Sequence, residues 1–146
     1  MNKTIVVIED NEVILEFIQL LLQQNDFIVV AVNNGRDGLA MVRQHRPDLI
    51  MSDLHMVGGD GLYVLRAVRA DPGTTDIPFV LVTADLDPAA RQHCYALGAT
   101  RVFLKPFDPD VLVDTIGKLL VGTQHAAGGT QRARISGAGM RNASGK

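Results

Sequence analysis

With one cysteine in 146 residues, Cys94, the chain has neither an internal disulfide framework nor a cysteine-rich zinc site. Cys94 falls in a helix-like stretch and reads as a small buried or half-buried thiol rather than a nucleophile. Positive charge is not in excess either. Fourteen Lys and Arg face 16 Asp and Glu, for a net charge of -2, so there is no basic footprint for nucleic acid as the main partner. No apolar stretch approaches the roughly 18 residues that read as a membrane-spanning helix. Met1-Asn2-Lys3-Thr4 passes straight into a strand pattern with no h-region or cleavage site, so a cytoplasmic protein is expected. His45, His93 and His125 have no metal-ligand spacing and read as surface residues. Gly58, Gly59 and Gly61 do not form G-x-G-x-x-G, and no Walker lysine follows a strand, which argues against a nucleotide cradle.

What is present suits one domain with a substantial core: 47% hydrophobic and 21% charged residues in a chain of ordinary domain length. Thr4 to Ile8 is a continuous apolar run rich in β-branched residues. Its lack of alternation suits a strand covered on both faces. Val13, Ile14, Phe17, Ile18, Leu21 and Leu22 recur at helical spacing and predict one apolar helix stripe. Phe27 to Val32 is a second strand, followed by a turn at Asn33-Asn34-Gly35 and a helix that must stop before Pro47.

Asp48 to Ser52 is the third strand and ends at Asp53. Leu62, Leu65 and Val68 mark a helix closed by Asp71-Pro72-Gly73. Ile77 to Val82 follows as a strand with Pro78 near its start, where a missing N–H is tolerated, and ends at Thr83. Asp87-Pro88 opens a helix that runs to about Leu97-Gly98. Arg101 to Leu104 is the fifth strand, ending at Lys105-Pro106, and Asp108-Pro109 starts a final helix with Val111, Leu112, Thr115, Ile116, Leu119 and Leu120 as its stripe. Five β-then-α units with short connections predict an α/β fold, a five-stranded parallel sheet with five helices on both faces. The domain is expected over residues 1–121. Residues 122–146, rich in Gly, Ala and Ser, hold Arg132, Arg134, Arg141 and Lys146 and no acid, and read as a disordered tail or linker.

Four strand ends carry Glu9-Asp10, Asp53, Thr83 and Lys105. In a parallel sheet they share one edge, where α/β folds place their sites. Three carboxylates in one crevice repel, and the Lys105 ammonium or a hard divalent cation would relieve them. An oxygen-only ligand set favours Mg²⁺. Such a site suits phosphoryl transfer, with an Asp carboxylate as nucleophile and Thr83 and Lys105 contacting phosphoryl oxygens.

With these residues in place, the sequence resembles the response-regulator receiver domain over residues 3 to about 121. The pieces that carry the likeness are Ile5 to Glu12, Pro47 to Leu54, Gly59-Asp60-Gly61, Ile77 to Ala84 and Lys105-Pro106-Phe107. The resemblance implies strand order 2-1-3-4-5 and a cis Lys105–Pro106 peptide. It also implies that Asp53 is the phosphoacceptor, that Glu9, Asp10, Asp53 and the backbone carbonyl of His55 hold Mg²⁺, and that Thr83 and Lys105 read the phosphoryl group. The phosphodonor would be a histidine kinase or a histidine phosphotransfer protein, and a downstream protein target would read the altered surface. The chemistry is self-directed, so a conventional enzyme is not expected. With no output domain following Val121, direct DNA binding is not expected either.

Three positions depart from the family pattern. Val102 stands where an aromatic switch residue is usual, with Phe103 beside it. Val57 replaces a common proline, and Glu9 a more frequent aspartate. Val102 keeps a scaffold or decoy receiver, which binds a partner without switching, as the alternative. A flavodoxin-like cofactor carrier is a further rival that the acidic crevice disfavours. His55 and Asp85 fall where family side chains flank the path of the hydrolytic water.

Overall fold

A computed structural model of the chain describes residues 2–56, 60–85 and 87–129, from 122 onward by backbone alone. The order of elements is β1 (Thr4–Ile8), α1 (Glu12–Gln24), β2 (Ile28–Val32), α2 (Gly35–His45), β3 (Leu49–Asp53), α3 (Gly61–Ala70), β4 (Phe79–Thr83), α4 (Pro88–Ala96), β5 (Arg101–Leu104) and α5 (Pro109–Gly129). All strand pairs are parallel and the sheet order is β2-β1-β3-β4-β5, as expected. Contacts group Met1–Val113 as one compact unit and Asp114–Lys146 as a second.

Within the first unit the sheet is dry on both sides, because its central strands are apolar at nearly every position. Val6, Ile8, Ile50, Phe79 and Leu81 face α2, α3 and α4, meeting Leu39, Val42, Val64, Leu65, Val68 and Cys94 in one cluster. Ile5, Val7, Leu49, Met51, Val80 and Val82 are buried on the opposite side, where α1 supplies Ile18 and Leu22. Each such side chain contributes about 1.5–3 kcal/mol when fully removed from water. No described helix is long and apolar enough to cross a membrane.

Helix starts follow the polar residues that precede them. The side chains of Asn11, Asn34, Asp60 and Asp87 accept the N–H of Ile14, Asp37, Tyr63 and Ala89, satisfying donors that a helix leaves orphaned. Asn34 is thus a cap and Gly35 the first residue of α2, where the sequence suggested only a turn. Boundaries elsewhere move by one or two residues. Ile77 donates its N–H to the Thr74 carbonyl in a turn, so β4 begins at Phe79, after Pro78. Asn25 and Asp26 likewise turn back onto Gln23 and Leu22, and β2 begins at Ile28.

Two differences are larger. The predicted α1 stripe splits. Ile18 and Leu22 are buried, while Val13 and Phe17 expose 78% and 49% of their surface, with Leu20 beside them at 52%. Apolar residues spread over more than one face of this helix, so periodicity alone could not say which row meets the sheet. Helix α5 runs to Gly129, past the expected boundary at 121; among its described side chains the buried ones are Leu112, Ile116 and Leu120. The rest of the expected tail, 130–146, lies outside the described residues, as do Val57, Gly58 and Gly59 and the side chain of His125.

Candidate functional site

The four predicted strand ends meet at the carboxyl edge of the sheet. Strands β1 and β3 are neighbours with Ile8 opposite Ser52, which puts Glu9 and Asp10 beside Asp53. Strand β4 pairs Val82 with Asp53, and β5 pairs Leu104 with Thr83. Lys105 follows at once and donates its backbone N–H to the Thr83 carbonyl at 2.8 Å. The Lys105–Pro106 peptide is cis.

Lys105 is the centre of the charge arrangement. Its Nζ lies 3.1 Å from Glu9 Oε1 and 3.3 Å from Asp53 Oδ2. The other Glu9 oxygen, Oε2, accepts the Asn11 backbone N–H at 3.1 Å. Glu9, Asp53 and Thr83 are buried, whereas Asp10 is exposed. Burial pushes the Glu9 carboxyl above its ordinary value; the Asn11 hydrogen bond pulls it back, and the neighbouring charge of Asp53 adds to the rise. Lys105 is also raised. Burial works against its charge, but the hydrogen bond and charge of Glu9, with Asp53 behind them, outweigh it.

One carboxylate oxygen each from Glu9, Asp10 and Asp53 lie within 4.8 Å of one another, close enough to share an ion. The set contains no imidazole or thiolate, so its chemistry fits a hard cation such as Mg²⁺. His55 follows two residues after Asp53 and is exposed. Thr83 Oγ1 accepts the Asp85 N–H at 3.0 Å.

Local packing holds Asp53 in place from below. Gly61, the first residue of α3, donates its N–H to the Leu54 carbonyl at 2.8 Å. A Cβ at Gly61 would fall 2.5 Å from the Asp53 carbonyl oxygen and 2.7 Å from Leu81 Cδ2, so only glycine lets the helix start this near the strand end. Beside Lys105, an apolar groove of about 500 Å³ is lined by Ile14, Phe17, Ala84, Pro106, Phe107 and Pro109.

Sequence reading missed three partners: the Asn11 N–H on Glu9, the Asp85 N–H on Thr83, and the Tyr95 hydroxyl, which accepts the N–H of Val102 at 3.0 Å. The first two are backbone donors and leave no residue signal. Tyr95 carries one only in hindsight, as an aromatic in the helix before β5. Val102, at the usual aromatic position, is half-buried against the core cluster.

Comparisons with known proteins agree with this geometry. The family model for the response regulator receiver domain matches residues 5–117. The transcriptional regulatory protein CseB of Streptomyces coelicolor is 35% identical over 132 residues, 90% of this chain and 54% of that protein. The DNA-binding response regulator MtrA of Mycobacterium tuberculosis is 34% identical over 113 residues, 77% of this chain and 48% of that protein. The chain therefore spans about half the length of these relatives, and with a relative named as DNA-binding the expectation of no direct DNA contact loses its support. Among solved structures, the chemotaxis response regulator CheY4 of Vibrio cholerae superposes with a TM-score of 0.77 at 28% identity, covering 82% of this chain and 99% of that one. Fold, strand-end residues and family match converge: the chain belongs to the response regulator receiver domain family.

Proposed function

We propose that Asp53 accepts a phosphoryl group from a phosphohistidine on a histidine kinase or phosphotransfer protein, and that the modified domain changes its affinity for a downstream partner. The observation that carries this reading is the position of Lys105 Nζ, within ion-pair reach of both Glu9 and Asp53 at the open edge of the sheet. A carboxylate oxygen of Asp53 attacks phosphorus in line. The O–P bond forms as the P–N bond breaks, and the electron pair of that bond returns to the imidazole. Lys105 would pair with one phosphoryl oxygen and Thr83 would donate its hydroxyl to another.

Glu9, Asp10 and Asp53 are the residues that would hold Mg²⁺, with the His55 carbonyl as a further ligand. Bound there, the ion would neutralise charge on the equatorial phosphoryl oxygens. The exposed His55 and the half-buried Asp85, two residues after Asp53 and Thr83, would govern how fast water removes the group. The groove beside Lys105 gives the phosphodonor an apolar seat next to the acceptor, with Phe17 on its wall. On this reading the domain spans residues 1–121 and works as a signalling domain, its chemistry directed at itself.

Incubation with Mg²⁺ and acetyl phosphate, followed by mass spectrometry, tests the proposal. One phosphoryl adduct is expected, and it should vanish in Asp53→Ala; an adduct that survives that change sinks the assignment. Val102 favours one second reading, a scaffold that binds without switching. Partner affinity measured with and without beryllofluoride, a phosphoryl mimic, separates the two, because a scaffold binds equally in both states.

A further inference from the structure

Val102 cannot report the state of Asp53 by rotating an aromatic ring, yet an aromatic residue does reach this point of β5. Tyr95, in the last turn of α4, exposes 41% of its surface and still places its hydroxyl to accept the Val102 N–H at 3.0 Å. Strand β5 is at the edge of the sheet, so this bond ties a helix to an edge strand. Helix α4 is otherwise lightly held, with Cys94 as its sole buried residue.

A run of hydrogen bonds leads from the site to the other end of α4. Thr83 Oγ1 accepts the Asp85 N–H at 3.0 Å, Asp85 Oδ1 accepts the Asp87 N–H at 2.9 Å, and Asp87 Oδ1 caps the helix by accepting the Ala89 N–H at 3.0 Å. A hydroxyl can accept one bond while donating another. If Oγ1 is drawn toward a group on Asp53, it must either pull the Asp85 N–H with it or leave that donor unpaired. The first outcome moves Asp85 and, through it, the Asp87 cap on which α4 starts; the second leaves that cap in place.

We infer that the Tyr95 hydroxyl is a latch: it is bonded to the Val102 N–H while Asp53 is free, and released when Thr83 shifts toward a phosphoryl group and α4 follows. The switch thus runs through α4 to β5, with the aromatic reporter on the helix in place of the strand. The latch rests on the reading of Asp53 as phosphoacceptor. Its chemistry asks only for a small displacement, because a hydrogen bond weakens steeply as its angle closes.

Amide-resolved NMR of the full chain, with Mg²⁺ and beryllofluoride added, tests it. In the parent protein the Thr83 and Asp85 amides should shift and exchange at the Val102 amide should rise about threefold to tenfold, the range expected from one net hydrogen bond. Tyr95→Phe removes only the hydroxyl, so its Val102 amide should exchange at that raised rate before any addition and change no further. In Thr83→Ala the Val102 amide should stay protected after addition. If Thr83 and Asp85 shift while Val102 does not, the latch is overturned and the site reading stands. If none of the three responds, the site reading fails and takes the latch with it.

Discussion

Glu9 and Lys105 stand 96 residues apart in the chain and 3.1 Å apart in space. The contact joins the first strand end to the last, across the sheet order β1-β3-β4-β5, and Asp53 completes it at 3.3 Å. Lys105 is thereby the counter-ion that lets two buried carboxylates share one crevice.

Removing that counter-ion should have two effects. Lys105→Met should slow phosphorylation by acetyl phosphate about a hundredfold, the cost typical of losing one preorganised donor at a reacting oxyanion. Without Mg²⁺ it should also lower the thermal midpoint, since Glu9 and Asp53 are then left unpaired, and Mg²⁺ should restore more of the midpoint in the variant than in the parent. Rate assays and paired melts check both.

Glu9 gives a pH dependence whose sign is fixed. Its folded-state pKa is raised above 4.5, chiefly by burial, so between 4.5 and the raised value the folded protein binds more protons than the unfolded one. The contribution of Glu9 is fully present below 4.5 and is lost as pH rises through the folded value. In the metal-free protein, the stability of the parent relative to Glu9→Gln should therefore fall with rising pH across that window. Urea unfolding at stepped pH measures the difference.

Mg²⁺ should stabilise the folded chain by about 2.7 kcal/mol at a hundredfold excess over its dissociation constant, because the unfolded chain has no formed site. Asp10→Asn should lose most of that gain. Thermal melts in Mg²⁺ against K⁺ at matched ionic strength give the answer, and EDTA should abolish phosphorylation of the parent.

Gly61→Ala should destabilise the protein by about 1–3 kcal/mol, because the added methyl overpacks a site with no space to yield. The atom it meets first is the Asp53 carbonyl oxygen, backbone rather than a flexible tip. Phosphorylation should slow together with the loss of stability. A denaturant midpoint that does not move would show that the β3–α3 junction can open.

The sheet and the identities of the strand-end residues were legible because the signal is local. An apolar run such as Leu49 to Met51 interrupted by Asp53, or Phe79 to Val82 interrupted by Thr83, announces both a buried strand and its exit. Their convergence needed the parallel topology, which the β–α alternation supplies. What stayed hidden depends on contacts between distant or backbone groups. No residue type announces that the Asn11 N–H will bond the Glu9 carboxylate, and nothing near Val102 announces that a Tyr95 hydroxyl will satisfy its N–H. On α1, Phe17 and Ile18 are equally apolar neighbours, and only the packed sheet decides that Ile18 goes in and Phe17 out.

The hydroxyl of Tyr95 has a second consequence, for how the sheet ends. An edge strand is a template for another chain wherever its outward N–H groups are free. By occupying the Val102 N–H, Tyr95 withholds one rung that an incoming strand would need. On the latch proposal, release of Tyr95 would offer that rung, and phosphorylation would then also make β5 open to extension by an added strand.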